Sequence, residues 1–128
     1  MKNILITGGT GFIGSNLAIK LSKEKNYKIT IVDNLSRDGS EKNKSLLKGE
    51  NIVFNNIDVR NYSEIEKLLI DNQFDNIFHF AAQVAMTESI QNPKEDMEIN
   101  FLSTFNLLES IRKFSKETVL VYTSSNKV

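Results

Sequence analysis

Residues 7 to 14 read Thr-Gly-Gly-Thr-Gly-Phe-Ile-Gly. Glycines at this spacing suit one task in particular, holding paired phosphates with backbone amides. Gly8 can take a tight turn, Gly11 offers no side chain to block an approaching pyrophosphate, and Gly14 lets a helix pack closely on the strand before it. Phe12 and Ile13 fall in the first turn of that helix, where free N–H groups and the positive end of the dipole favour an anion. A glycine-rich turn that binds nothing has the same composition, and placement separates the two. The glycines follow the apolar run Ile4-Leu5-Ile6 and precede Ile13, Leu17 and Leu21 at helical spacing, the position of a phosphate-binding turn.

Asp33 stands 19 positions after Gly14, close to the spacing of about 20 at which a dinucleotide fingerprint carries its acidic residue. A carboxylate there accepts from both hydroxyls of the adenosine ribose and repels a 2′-phosphate, which points to NAD rather than NADP as cofactor. Two other readings stay open: Asp33 as a plain strand-end residue, and Arg37 as a partner for a 2′-phosphate. Asp58 and Val59 follow the third apolar run, at the adenine end of such a site, where Asp58 is either an acceptor for the adenine amino group or a turn residue. Ala81 and Ala82 follow the fourth run; their small side chains permit a cofactor to come close, or simply let a helix pack on a strand. His79, inside an apolar strand, reads as a packed core histidine and not as a base.

The elements that must position these residues alternate strand and helix. Ile4-Leu5-Ile6, Ile29 to Asp33, Ile52-Val53-Phe54, Asn76 to Phe80 and Val119 to Tyr122 read as five buried strands. Helices are expected from Ile13 to Lys25, from an Asn61–Glu64 capping box through Ile65, Leu68 and Leu69, and from Asn92, Pro93 and Glu95 as N-cap, N1 and N3. The apolar face of that last, long helix is expected along Met97, Phe101, Phe105, Leu108 and Ile111. Asn34 to Glu50 reads as one long irregular segment. Such alternation implies an α/β fold, a Rossmann-type doubly wound parallel sheet, with all of 1–128 in one dinucleotide-binding domain.

Composition narrows the partners. The chain has 128 residues, with 16 Lys+Arg against 16 Asp+Glu, which gives no reason to expect nucleic acid or an anionic membrane. With no cysteine and one histidine, neither thiol chemistry nor a metal site is expected. The N-terminus is too short in apolar residues for a signal peptide and no run approaches a membrane span, so the expected location is cytoplasmic.

The pattern Thr7-Gly8-x-x-Gly11-x-x-Gly14, with Asp33, Asp58-Val59-Arg60 and Phe80-Ala81-Ala82-Gln83, resembles the extended short-chain dehydrogenase/reductase superfamily, the NAD-dependent sugar-nucleotide epimerases and dehydratases, across essentially the whole chain. The segments Gln83 to Pro93, Ser125 to Val128 and Asp33 to Arg37 resemble its CDP-paratose 2-epimerase (CDP-tyvelose epimerase) branch. The resemblance implies strand order 3-2-1-4-5 and adds Asn34, Gln83, Asn100 and Ser124 to the cofactor site, with Ser125 as the catalytic hydroxyl. It also implies a reversible oxidation of a sugar carbon, with a CDP-sugar or other sugar nucleotide as partner. Dehydratases of the superfamily carry an Asp-Glu acid pair where this chain has Asn126 and Lys127, which disfavours loss of water.

By the same resemblance a Tyr-x-x-x-Lys pair, a sixth strand and a substrate domain would lie beyond Val128. The chain alone is therefore expected to be inactive, and an open fifth strand invites a homodimer. Two alternatives remain from the sequence: a UDP-hexose 4-epimerase-like enzyme and a non-catalytic dinucleotide-binding module.

Overall fold

A computed structural model describes residues 1–124. Five parallel strands, β1 (Lys2–Thr7), β2 (Tyr27–Asp33), β3 (Ile52–Asn56), β4 (Asn76–His79) and β5 (Val119–Tyr122), form one sheet in the order β3-β2-β1-β4-β5. The expected α/β class and strand order are both found. β1 lies at the centre, with Ile4 to Thr7 opposite Ile29 to Val32 on one side and Asn76 to His79 on the other. Alternate residues of β1 feed opposite faces. Leu5 joins Val32, Ile65, Leu69, Ile77, Leu107 and Ile111, while Ile4 and Ile6 join Ala18, Ile29 and Ile31. A strand buried on both faces explains why Ile4-Leu5-Ile6 is unbroken in sequence rather than alternating with polar residues.

Three helices cover the faces. α1 (Phe12–Ser22) packs Gly14, Ser15 and Ala18 inward. α3 (Tyr62–Asp71) begins at Asn61, whose side chain accepts from the Glu64 amide and donates to the Glu64 carboxylate. The Asn61 N–H donates to the Asp58 carbonyl instead of to Glu64, so only the N-cap half of the expected capping box forms. α6 (Ser103–Phe114) packs beside α3.

Three expectations are corrected. The polar stretch 34–50 contains a helix, α2 (Ser40–Leu46). It buries Ser40 and no apolar residue, so it leaves no hydrophobic period to read. The region before α6 is not one long helix. It comprises α4 (Met86–Gln91), α5 (Pro93–Met97) and a π-helical turn, Glu98–Leu102, that leads into α6. Asn92 stands before Pro93 without capping the backbone, and its amide donates instead to the Glu95 carboxylate.

The expected apolar face is overturned except at Ile111, which is buried. Met97, Phe101, Phe105 and Leu108 are exposed, Phe101 at 64% and Phe105 at 51%. The row turned inward is Ser103, Leu107, Ser110 and Ile111. Met97 before the π turn and Phe105 and Leu108 after it are exposed alike, so the exposed apolar row runs through the turn unbroken. Among the described residues no helix is long and apolar enough to cross a membrane, and no cluster of three metal-ligating side chains occurs.

Candidate functional site

At the carboxyl ends of β1, β2, β3 and β4 the chain opens a cleft of about 700 Å³, the place where open α/β sheets bind ligands. Gly8, Gly11, Asp33, Asn34, Arg37, Asp58, Val59, Ala81, Ala82 and Gln83 all line it. Residues up to 75 positions apart in sequence are thus brought to one cleft. Phe12, Ile13 and Gly14 form the first turn of α1 beside it. Ser124 is exposed beyond β5, and Ser125 lies outside the described residues.

The glycine turn is shaped by what surrounds it. Gly8 has φ 67°, and a Cβ there would stand 2.7 Å from the Ala81 nitrogen. A Cβ on Gly14 would meet the Gly8 carbonyl oxygen at 2.4 Å. Gly9, not singled out from the sequence, is excluded from any larger residue by Ile31, whose Cγ2 would be 2.4 Å away. Gly11 differs: its added Cβ would touch only the Gly8 oxygen, at 3.2 Å, and otherwise open space. The N–H groups of Phe12, Ile13 and Gly14 have no backbone acceptor among the described residues, as expected of the first turn of a helix.

Thr10 is the point where three segments meet. Its N–H donates to Asp33 Oδ2 at 3.0 Å, and its carbonyl accepts from Asn43 Nδ2 of α2 at 2.8 Å. The other Asp33 oxygen, Oδ1, accepts from the Leu35 amide at 2.9 Å. Each carboxylate oxygen keeps further lone-pair capacity for a ligand hydroxyl. Asn43 was not legible as a site residue, since a lone Asn in a polar stretch gives no signal.

On the far wall, Asp58 binds Arg60 through two short contacts, Nη2 to Oδ2 at 2.7 Å and Nε to Oδ1 at 3.0 Å, and accepts from Asn34 Nδ2 at 3.0 Å. The Arg60 hydrogen bond holds the Asp58 carboxyl at about 2, against the opposing effect of burial. Arg60 also reaches Glu95 at 3.2 Å, bridging the loop after β3 to α5. The Asp-x-Arg spacing was the available sequence signal for Arg60.

Behind the cleft, His79 is 2% exposed. Its Nδ1 lies 2.6 Å from Thr7 Oγ1 and its Nε2 lies 3.0 Å from Thr104 Oγ1. Burial lowers its pKa to about 4, so the ring is neutral at pH 7. The reading of a satisfied core histidine holds. Asn100, in the π turn, accepts from the Gln83 amide at 2.8 Å and donates to the Gln83 carbonyl at 3.2 Å. It therefore grips the backbone of one cleft residue without lining the cleft itself.

The profile of the family described as GDP-mannose 4,6 dehydratase matches residues 5–128. The chain belongs to this family. Among relatives of the GDP-mannose 4,6 dehydratase family member described here, a CDP-paratose 2-epimerase of Salmonella typhi is 43% identical over 126 residues, covering 98% of this chain and 37% of that protein. The UDP-Glc/GlcNAc 4-epimerase of Campylobacter jejuni superposes with a TM-score of 0.87 at 29% identity, covering 98% of this chain and 38% of that one. A UDP-glucose 4-epimerase of Stenotrophomonas maltophila, solved with bound NAD and formylated UDP-arabinopyranose, gives 0.83 at 28% identity, covering 100% and 38%. The chain spans somewhat over a third of the length of these relatives.

Proposed function

We propose that the cleft binds NAD, and that this chain is the dinucleotide-binding part of an NAD-dependent sugar-nucleotide epimerase. One observation carries the reading: a turn in which Gly8 and Gly14 leave no room for side chains and Gly11 opens onto the cleft faces Asp33 across it, with three helix-start amides unbonded beside it. In this reading the amides of Phe12, Ile13 and Gly14 receive the pyrophosphate, and Asp33 accepts from the adenosine ribose. Asp58, kept anionic by Arg60, accepts from the adenine amino group, with Asn34 and Val59 beside it. Ala81 and Ala82 leave space for the cofactor, while Asn100 fixes Gln83.

What NAD supplies when bound is reversible acceptance of a hydride from a sugar carbon. The protein's own share is to orient that carbon and its hydroxyl. The resemblance gives Ser125 the second task, with Ser124 beside the nicotinamide end. A CDP-sugar epimerised at C2 is the preferred substrate, on the 43% identity to the Salmonella typhi enzyme. The likeness to the Campylobacter jejuni 4-epimerase supports the second reading, a UDP-hexose epimerised at C4.

Calorimetric titration of the chain with NAD, NADP and ADP-ribose tests the cofactor. Binding of NAD and ADP-ribose, with NADP clearly weaker, is expected. A folded chain that binds none of the three would end the reading.

A further inference from the structure

One set of proton positions satisfies all four hydrogen bonds that link His79, Thr7, Thr104 and their neighbours. Thr104 Oγ1 donates its one proton to the Asn100 carbonyl at 2.8 Å. It can meet His79 Nε2, 3.0 Å away, only as an acceptor, so Nε2 carries the ring proton. In a neutral ring Nδ1 is then bare and accepts from Thr7 Oγ1 at 2.6 Å. Thr7 Oγ1, having given its proton, accepts from the Ala81 amide at 3.3 Å. Both ends of this chain of bonds lead to cleft backbone. One is Ala81 itself, which closes on Gly8; the other is Asn100, whose carboxamide holds Gln83 by its N–H and its carbonyl.

We infer that His79 is a positioning residue for the dinucleotide cleft: as the Nε2–H tautomer it joins Thr7 to Thr104, and so sets the Ala81 and Gln83 backbones against the phosphate-binding turn. The ring reaches no ligand and exchanges no proton. It serves as a spacer of fixed polarity, donor on the α6 side and acceptor on the β1 side. A phenyl ring of similar size would fill the space and leave both threonines short of a partner. The assignment of the cleft to NAD rests on the reading above, whereas the tautomer and its connections do not depend on it.

The test combines ring spectroscopy, amide exchange and binding in the whole chain. In the wild type, ¹⁵N NMR of the His79 ring is expected to show one neutral species protonated at Nε2. Thr104→Val removes the hydroxyl at nearly constant shape. It is expected to abolish that single-tautomer signature, speed exchange of the Gln83 amide by roughly tenfold, and weaken ADP-ribose by roughly tenfold, about the worth of one hydrogen bond. Thr104→Ser is expected to restore all three. A wild-type ring protonated at Nδ1 overturns the inference, as does a Thr104→Val chain with unchanged Gln83 exchange and unchanged affinity. If Thr104→Val does not fold, the wild-type tautomer and Thr104→Ser still decide. If the wild type itself fails to bind ADP-ribose, the NAD reading falls, and the ring signature with Gln83 exchange decides the inference alone.

Discussion

Replacing either of two glycines in the same turn by alanine is expected to lose binding for different reasons, one with a loss of stability and one without. At Gly14 the new Cβ falls 2.4 Å from the Gly8 oxygen and 2.8 Å from the Gly9 Cα. Both are backbone atoms that cannot rotate away, so the turn must move by more than half an ångström. Overpacking of this kind costs about 1–3 kcal/mol, offset by about 1 kcal/mol from the better helix propensity of alanine. The same displacement shifts the amides that would meet a pyrophosphate, and bonds to charged groups are worth about 1.5–3 kcal/mol each. Gly14→Ala should therefore lose up to about 2 kcal/mol of stability and at least about tenfold in ADP-ribose affinity.

Gly11 has φ −68° and ψ 171°, ordinary extended backbone. Its Cβ has one neighbour within 4 Å and otherwise stands in the cleft. Gly11→Ala should leave stability within about 1 kcal/mol and still lose binding by about tenfold or more, because the methyl occupies the phosphate's approach. Urea denaturation and calorimetric titration of both variants are the assay. A Gly11→Ala chain that binds ADP-ribose like the wild type, or that is as destabilised as Gly14→Ala, would refute the division of roles.

Further expectations concern pH, cofactor choice and association. His79 is the chain's one histidine. Its pKa is lowered from 6.5 to about 4 by burial, so the unfolded chain takes up its proton first as pH falls. Stability should be flat above pH 6.5 and decline by about 3 kcal/mol between 6.5 and 4. Denaturation midpoints equal at pH 7 and pH 5 would contradict this. Asp33→Asn replaces an acceptor for the Thr10 and Leu35 amides and removes the negative charge. NAD should weaken about tenfold and NADP much less, read as a ratio of dissociation constants. Val119, Val121 and Tyr122 are exposed on β5, which pairs only with β4 among the described residues. The chain should self-associate in light scattering, and Val121→Lys should reduce it; a monodisperse wild-type monomer would remove the homodimer.

Strands were legible because the central ones are buried on both faces, which leaves runs such as Ile4 to Ile6 without polar interruption. The glycine turn and Asp33 were legible because backbone chemistry restricts residue type at defined offsets. α2 was not, since it buries a serine and acts through one amide, Asn43 to Thr10. The face of α6 was misread for a physical reason. Phe101, Phe105 and Leu108 obey the α-helical period, but the period locates an apolar row and not what covers it, and the row that packs is Ser103, Leu107, Ser110 and Ile111. Nor does any residue type announce the π winding at Glu98–Leu102. Asn100 entered through family resemblance alone; its grip on Gln83 depends on that winding and on the loop after β4.

The π turn sets two demands against each other within five residues. Its looser winding is served locally, with the hydroxyls of Ser103 and Thr104 donating to the carbonyls of Ile99 and Asn100. Losing one residue from Glu98–Leu102 would restore an ordinary α-helix, and with it a tidier backbone. It would also rotate α5 and Asn100 by about 100° against α6, detaching Gln83 from its hold. Selection for a more regular helix and selection for a formed cleft therefore pull in opposite directions here, and a single-codon deletion that stabilises this stretch is the change most apt to silence the site.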